Sequence, residues 1–565
     1  MNATPLIHVD GLTVEFATRD GAVAAVRDVS FDIAAGETLG IVGESGSGKS
    51  VTSYALMRIL DDNGRVARGA LSYSGVDLVA AGERQMRDIR GREISMIFQN
   101  PRSALNPIRK VGRQIEDVLR QHAVAAGAEA RRKAVELLET VRIRDPEARY
   151  HAYPHELSGG MCQRVVIALA LACQPRVLIA DEPTTGLDVT TQKTILDLVR
   201  DLTRDRGMSM ALITHDLGLA AEYCDRIVVM QKGAVVEAAD TATLFQNPTH
   251  AYTRALIRAT PRRGAALRSL LPEGDPRRMA PVEAPATKGG ATPLISVKNL
   301  TKVFAPPKSG TGWFGRGAPD PDAGFKAVDD ISFDIRHGES VGLVGESGCG
   351  KSTTSLMLMR LLDATSGEIL FEGEDIATAP SAAFPKHPLR RKLQMVFQDP
   401  TDSLNPRYTG GRCIADPILR LGEQKGRAVK DRVAELAELV SFPVELLDRF
   451  PHQLSGGQKA RVGIARAIAL GPSFLVLDEP TAALDVSVQA VVLNLLADLR
   501  SKLGLSYLFV SHDLTVVRLL CERVIVMRAG KILEEGPTEA VMDAPKDPYT
   551  ASLLAASPEP PPAFV

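Results

Sequence analysis

The chain is written twice. GESGSGKS at 43–50 returns as GESGCGKS at 345–352, QNPRSALNP at 99–107 as QDPTDSLNP at 398–406, and LSGGMCQR at 157–164 as LSGGQKAR at 454–461. IADEPTTGLDV at 179–189 and ITHDL at 213–217 return as VLDEPTAALDV at 476–486 and VSHDL at 510–514. Shared composition does not produce blocks in one fixed order, so the chain must hold two domains of the same fold. Its 565 residues are in any case too many for one hydrophobic core. The first domain is placed at 1–261 and the second at 294–565. Between them, 262–293 is rich in Pro, Ala and Gly and shows no periodicity, which predicts an extended linker. A segment at 306–325, with the only tryptophan, Trp313, interrupts the second domain alone and reads as a surface hairpin extension.

Within each half, short apolar runs alternate with helical segments. TLGIV (38–42), VLIAD (177–181) and MALIT (210–214), with SVGLV (340–344), FLVLD (474–478) and YLFVS (507–511), read as buried strands of a mainly parallel α/β sheet. The stretches 108–150 and 407–450 carry apolar residues at helical spacing, as in AEARRKAVELLETV (128–141) and AVKDRVAELAELV (428–440), and predict a helical subdomain in each half.

Whole-chain properties narrow the function. A net charge of −1 argues against a dominant attraction to nucleic acid or anionic lipid. The six cysteines form no C-x-x-C pair or ligand cluster, which argues against a zinc or iron–sulfur site and fits reduced thiols. No apolar run approaches the ~20 residues of a membrane-spanning helix. MNATPLIHVD has neither the basic nor the apolar region of a signal peptide, so a cytoplasmic location is expected.

The glycine-rich turns match G-x-x-x-x-G-K-[ST], each between an apolar strand and a helix. Backbone N–H groups of Gly43, Ser45, Gly46 and Gly48, and of Gly345, Ser347, Gly348 and Gly350, would cradle phosphate oxygens at a helix N-terminus. Lys49 and Lys351 would reach the β- and γ-phosphates, and Ser50 and Ser352 would ligate Mg²⁺. One chance match in a chain of this length has odds of roughly 0.02, so two rule out coincidence. Strands ending in Asp181-Glu182 and Asp478-Glu479 add a carboxylate for the Mg²⁺ shell and a neighbouring general base for water.

LSGGMCQR and LSGGQKAR resemble the signature of ATP-binding-cassette (ABC) ATPases. With Gln99 and Gln398, the D-loops GLD (186–188) and ALD (483–485), and His215 and His512, the family's motif set stands twice and in order. The resemblance covers nearly the whole chain. It implies two tandem phosphate-loop NTPase domains, each with a RecA-like core and a helical subdomain. It also implies composite sites, in which Lys49, Ser50, Gln99, Asp181, Glu182 and His215 are completed by Ser455, Gly456 and Gly457. Lys351, Ser352, Gln398, Asp478, Glu479 and His512 would be completed by Ser158, Gly159 and Gly160. Gln99 and Gln398 would join the Mg²⁺ shell, the histidines would contact the γ-phosphate, and Phe16 and Phe304 stand where the family stacks an aromatic on adenine. Met161 and Gly186 depart from the usual Gln and Ala, but no catalytic group is lost, so two hydrolytic sites are expected.

The segments after Gln99 and Gln398, with NPTHAYTRALIRATP (247–261) and APKDPYTASLLAASP (544–558), resemble ATPases of peptide and nickel importers. That implies a partnership with two membrane-spanning permease subunits and an extracytoplasmic substrate-binding protein, with ATP hydrolysis driving uptake at the cytoplasmic face of the inner membrane. ETVRI followed by YPHELSGGM resembles glutathione and dipeptide importers, which makes small peptides the favoured cargo over opines or nickel. A tandem cassette acting on ribosomes or DNA is the rival class, set against by the short Pro-rich linker and the lack of zinc modules or coiled coils. An exporter ATPase shares every catalytic motif and is disfavoured only by the importer-like segments.

Overall fold

The structure, a computed structural model, describes residues 5–19, 21–281, 292–305 and 324–558. It divides into two compact units, the first reaching Thr260 and taking in Pro558 as well, the second Pro261–Ser557, and each unit repeats one plan.

In the first unit a six-stranded sheet runs Ala234–Asp240, Arg226–Gln231, Thr38–Val42, Ser209–Thr214, Val177–Asp181, Ile94–Ile97. It is parallel except for the edge hairpin Arg226–Gln231/Ala234–Asp240. The central strands are largely apolar because both faces are covered. Alternate residues enter different cores: Leu178 and Ala180 pack in one, Val177 and Ile179 in the other. Each buried Val, Leu or Ile side chain contributes about 2 kcal/mol relative to exposure. One core continues into a helical subdomain, where Val111, Ile115, Leu119, Ala134 and Leu138 pack with Val165 of the signature helix Gly159–Leu171. The other is closed by an antiparallel sheet ordered Gly21–Ile33, Ile7–Thr18, Gly64–Tyr73, Val76–Asp77.

The second unit matches it strand for strand. Its six-stranded sheet runs Leu393–Val396, Phe474–Asp478, Ser506–Ser511, Ser340–Val344, Arg523–Arg528, Lys531–Pro537. The helical stretches expected near 108–150 and 407–450 are present as Val111–Gln121 with Gly127–Thr140, and Gly410–Leu421 with Arg427–Leu439. The strands named from the apolar runs are all found.

The described part of 262–293 differs from the extended linker expected. Two short 3₁₀ turns, Leu267–Leu270 and Pro276–Met279, fold the segment onto the second unit's helix Val486–Leu503. Leu267, Leu270 and Leu271 are buried. Arg268 donates to Asp498 (2.5 Å) and Asn494 (3.2 Å), and buried Asn494 donates to the Leu267 carbonyl (3.0 Å). The leucines of LRSLL supply the apolar area and the Arg268 pair the anchoring, an outcome that composition alone does not reveal. Of the insertion at 306–325, residues 306–323, Trp313 included, lie outside the described residues. Its two ends are paired, Phe304 opposite Phe325.

Candidate active site

Each half gathers its chemistry at the carboxyl ends of the parallel strands. Strand Thr38–Val42 runs into the loop 43–48 and helix Lys49–Met57; Ser340–Val344 runs into 345–350 and Lys351–Leu358. Glycine is required at the helix start. Gly48 has φ 97°, and a Cβ there would stand 2.9 Å from the Ala25 carbonyl oxygen; at Gly350, with φ 109°, it would stand 2.4 Å from that of Ala327. Gly43 and Gly345 form the buried base of each loop; Ser45, Gly46, Ser347 and Gly348 form its exposed crest. Buried Lys49 curls under its own loop, Nζ donating to the carbonyls of Gly43 (2.7 Å) and Glu44 (3.0 Å). Lys351 does the same to Gly345 (2.6 Å) and Glu346 (2.9 Å).

Ser50 Oγ donates to Asp181 Oδ1 at 2.9 Å. Asp181 is buried and its Oδ2 has no hydrogen-bond partner; Oδ1 of buried Asp478 is likewise bare. Burial raises both carboxyls, with the adjacent glutamate adding to the rise, and Asp478 is pushed up to about 6. Serine hydroxyls oppose the rise in both halves. In the first, Tyr54 opposes it as well; Leu356 stands at the corresponding place in the second. A buried oxygen left bare beside a hydroxyl is an arrangement that a small, hard divalent cation satisfies, so the donor set fits one.

Beside this pair, Glu182 is held from three sides. Gln99 Nε2 and Thr185 Oγ1 donate to Oε2 (2.7 and 3.1 Å), and His215 Nδ1 lies 3.0 Å from Oε1. Glu479 has Gln398 at 2.8 Å and His512 at 3.2 Å, with Ala482 where the first half has Thr185. Burial alone would raise these carboxyls. The histidine, by hydrogen bond and charge, and then the loop lysine outweigh it, and Glu182 is held down to about 2. In return each glutamate raises its histidine above the usual range against the opposing effect of burial. Both glutamates sit at φ 45°, in the left-handed region that non-glycine residues avoid. That strained turn follows directly from the strand end, where Glu182 N–H still donates to the Ile213 carbonyl (2.9 Å).

The sequence-selected residues do not all meet in this cluster. Ser158 and Ser455 are exposed N-caps of the helices Gly159–Leu171 and Gly456–Ile468, each Oγ accepting an N–H at 3.3 Å. In the second helix Gln458 returns a bond to the Ser455 N–H (2.9 Å) and closes a capping box; Met161 leaves that box open in the first. Gly457 is needed for packing, since a Cβ there would lie 2.4 Å from Val488. Gly159, Gly160 and Gly456 complete these turns. Gly186 adopts φ 75°, which the corresponding Ala483 does not. Phe16 is half-buried, and Phe304 is exposed beneath Lys302, whose Nζ lies 5.3 Å from the ring. Thr185 and Tyr54 are not among the residues to which the sequence motifs assign a role. Tyr54 lies one helical turn beyond Ser50, a spacing that would have flagged it.

Residues 26–185 and 328–482 match the family model described as ABC transporter, and 236–288 and 533–563 match that of the oligopeptide/dipeptide transporter, C-terminal region. The chain is 44% identical to the glutathione import ATP-binding protein GsiA of Salmonella typhimurium (strain LT2), over 99% of this chain and 90% of that one. It is 43% identical to GsiA of Escherichia coli (strain K12) over the same shares. Among solved structures, the dimeric ATP-binding cassette MJ0796 bound to ADP and Pi aligns with 42% of this chain and 98% of its own, at 27% identity and a TM-score of 0.38. No helix among the described residues is long and apolar enough to cross a membrane. With both halves matching the ABC transporter model and a matching C-terminal region after each, the chain belongs to the ABC transporter family, as a tandem ATPase of its oligopeptide/dipeptide importer branch.

Proposed function

We propose that this ATPase drives import of small peptides of the glutathione class, working with two permease subunits and an extracytoplasmic binding protein at the cytoplasmic face of the inner membrane. The observation that carries this reading is the 44% identity to glutathione import ATPases across 99% of the chain. The C-terminal region matched in both halves supports it.

In each half the loop N–H groups and Lys49 or Lys351 hold the triphosphate, while Phe16 or Phe304 offers a ring face to adenine. Ser50 with Asp181, and Ser352 with Asp478, would hold Mg²⁺, Gln99 and Gln398 reaching the same shell. When bound, Mg²⁺ would neutralise charge on the β- and γ-phosphate oxygens. Water attacks the γ-phosphorus, the bond to the bridging oxygen breaks, and ADP leaves as Glu182 or Glu479 takes the water's proton. At about 2, Glu182 is too weak a base while paired with His215. Moving His215 onto the γ-phosphate would remove the largest of the contacts that hold Glu182 down, with Lys49 and Thr185 remaining, and so raise its basicity. The signature residues Ser158–Gly160 and Ser455–Gly457 contribute donors to phosphate as the family resemblance implies.

The test is reconstitution with candidate permeases and binding protein in liposomes. Glutathione-loaded binding protein should stimulate ATP turnover and drive glutathione uptake. Stimulation by nickel or opines alone overturns the cargo, and co-purification with ribosomes and never with permeases overturns the importer.

A further inference from the structure

In both halves a tyrosine from the C-terminal segment reaches the phosphate loop. Tyr252, on helix Ala251–Ala259, accepts a hydrogen bond at its hydroxyl from the backbone N–H of Glu44 (3.2 Å). Tyr549, on helix Pro548–Ala556, accepts one from Glu346 (3.0 Å). Glu44 and Glu346 are also the residues whose carbonyls receive the loop lysines, at 3.0 and 2.9 Å. The same residue is therefore held by tyrosine at its N–H and by lysine at its carbonyl.

The tyrosines are themselves placed by a repeated anchor. Glu237, on the edge strand Ala234–Asp240, accepts from the backbone N–H groups of Thr249 (2.6 Å) and His250 (3.0 Å). Glu534, on Lys531–Pro537, accepts from those of Lys546 (2.9 Å) and Asp547 (3.2 Å). His250 Nδ1 and Asp547 Oδ1 then accept from the tyrosine N–H groups (3.2 and 2.8 Å). The chain of contacts runs from edge-strand carboxylate to helix start, tyrosine hydroxyl, loop peptide and phosphate-binding lysine. The same chain of contacts stands in both halves, although the segments that build it, NPTHAYT and APKDPYT, differ in sequence.

We propose that Tyr252 and Tyr549 are positioning residues of the two nucleotide sites, and that the C-terminal segment of each half is a strap that sets the phosphate loop for ATP. The inference rests on the ATPase assignment and on no particular cargo. In the second half the Arg528 guanidinium lies 4.7 Å from the Tyr549 ring, an added hold that Gln231 does not supply in the first.

The experiment uses the full chain with one site silenced, Lys351→Ala to read the first site and Lys49→Ala to read the second. Tyr252→Phe and Tyr549→Phe remove only the hydroxyl. Each should weaken ATP affinity at its own site roughly 2- to 10-fold, as loss of one hydrogen bond implies, with the nucleotide-free Tm little changed. Leu138→Ala and Leu436→Ala, buried in the helical subdomains away from these helices, are the structural controls and should lower Tm without moving affinity at folded sites. ATP affinity unchanged by Tyr→Phe overturns the inference, as does an affinity loss that the leucine controls reproduce. Should a tyrosine variant not fold, Glu237→Gln or Glu534→Gln loosens the same strap and must weaken affinity likewise. Failure of the parent to bind ATP would instead strike the ATPase assignment, so the two outcomes stay distinct.

Discussion

Glutamine in place of Glu182 and Glu479 isolates the proposed base from everything around it. At Glu182 the amide oxygen can take the Oε2 position, where Gln99 and Thr185 donate from 2.7 and 3.1 Å. The amide NH₂ then faces His215 Nδ1, 3.0 Å from the former Oε1, and the ring accepts in its neutral tautomer. Shape and hydrogen bonds survive, and only the acceptor for water's proton is lost. Lys49, Ser50 and the loop are untouched, so ATP affinity should stay within about threefold. General-base catalysis contributes about 10²–10⁴ in rate, or about 2.7–5.4 kcal/mol of barrier at 1.36 kcal/mol per tenfold. The assay is steady-state phosphate release with ATP affinity measured in parallel, for each single variant and the double. The double variant should lose 10²–10⁴ in kcat. Retention of more than about a tenth of parent turnover would refute the base assignment, and a single change that abolishes all turnover would reveal the interdependence that the family resemblance implies.

Other expectations follow from particular contacts. Arg268→Ala strips the main partner from Asp498 and should destabilise the second unit by about 2–3 kcal/mol in urea unfolding, with faster proteolysis across 262–281; unchanged protection there would sink the reading of that segment as folded. Met161→Gln restores the capping box that Gln458 closes in the other half, and should stabilise the first unit by about 0.5–1 kcal/mol; a lower Tm would count against it. The ion pair sets a pH window. Glu182, depressed from 4.5 to about 2, contributes stability above 4.5 that is lost as pH falls toward 2. His215, raised from 6.5, contributes fully below 6.5 and loses its share as pH climbs through the elevated value. His215→Asn should therefore flatten the alkaline fall in Tm, and identical slopes in parent and variant would refute the pairing.

What was legible in the sequence is what chain-local geometry determines. A strand entering G-x-x-x-x-G-K-S has few conformations open to it, and a strand ending in Asp-Glu delivers both carboxylates to the same edge. The 262–281 segment was not legible, because its leucines carry no period and gain meaning only against Asn494 and Asp498. Tyr252 and Tyr549 were visible as repeated letters, but their partners lie 208 and 203 residues away, beyond any local pattern. Thr185 and Tyr54 are not legible because neither is repeated in the second half, where Ala482 and Leu356 stand.

Those unrepeated neighbours bear on whether the two sites are equal. Every group proposed to touch ATP occurs in both halves, while the groups that touch those groups diverge. Glu182 has Thr185 as a donor and Glu479 does not; Asp181 has Tyr54 opposing its rise and Asp478, at about 6, does not. Ser47 is replaced by Cys349 beside Lys351, and Gln231 by Arg528 over Tyr549. Divergence of this kind leaves the chemistry in place and adjusts pKa and loop stiffness. The inequality between sites should accordingly appear as different ATP affinities, read by nucleotide titration with the other site silenced. Hydrolysis itself should persist at both.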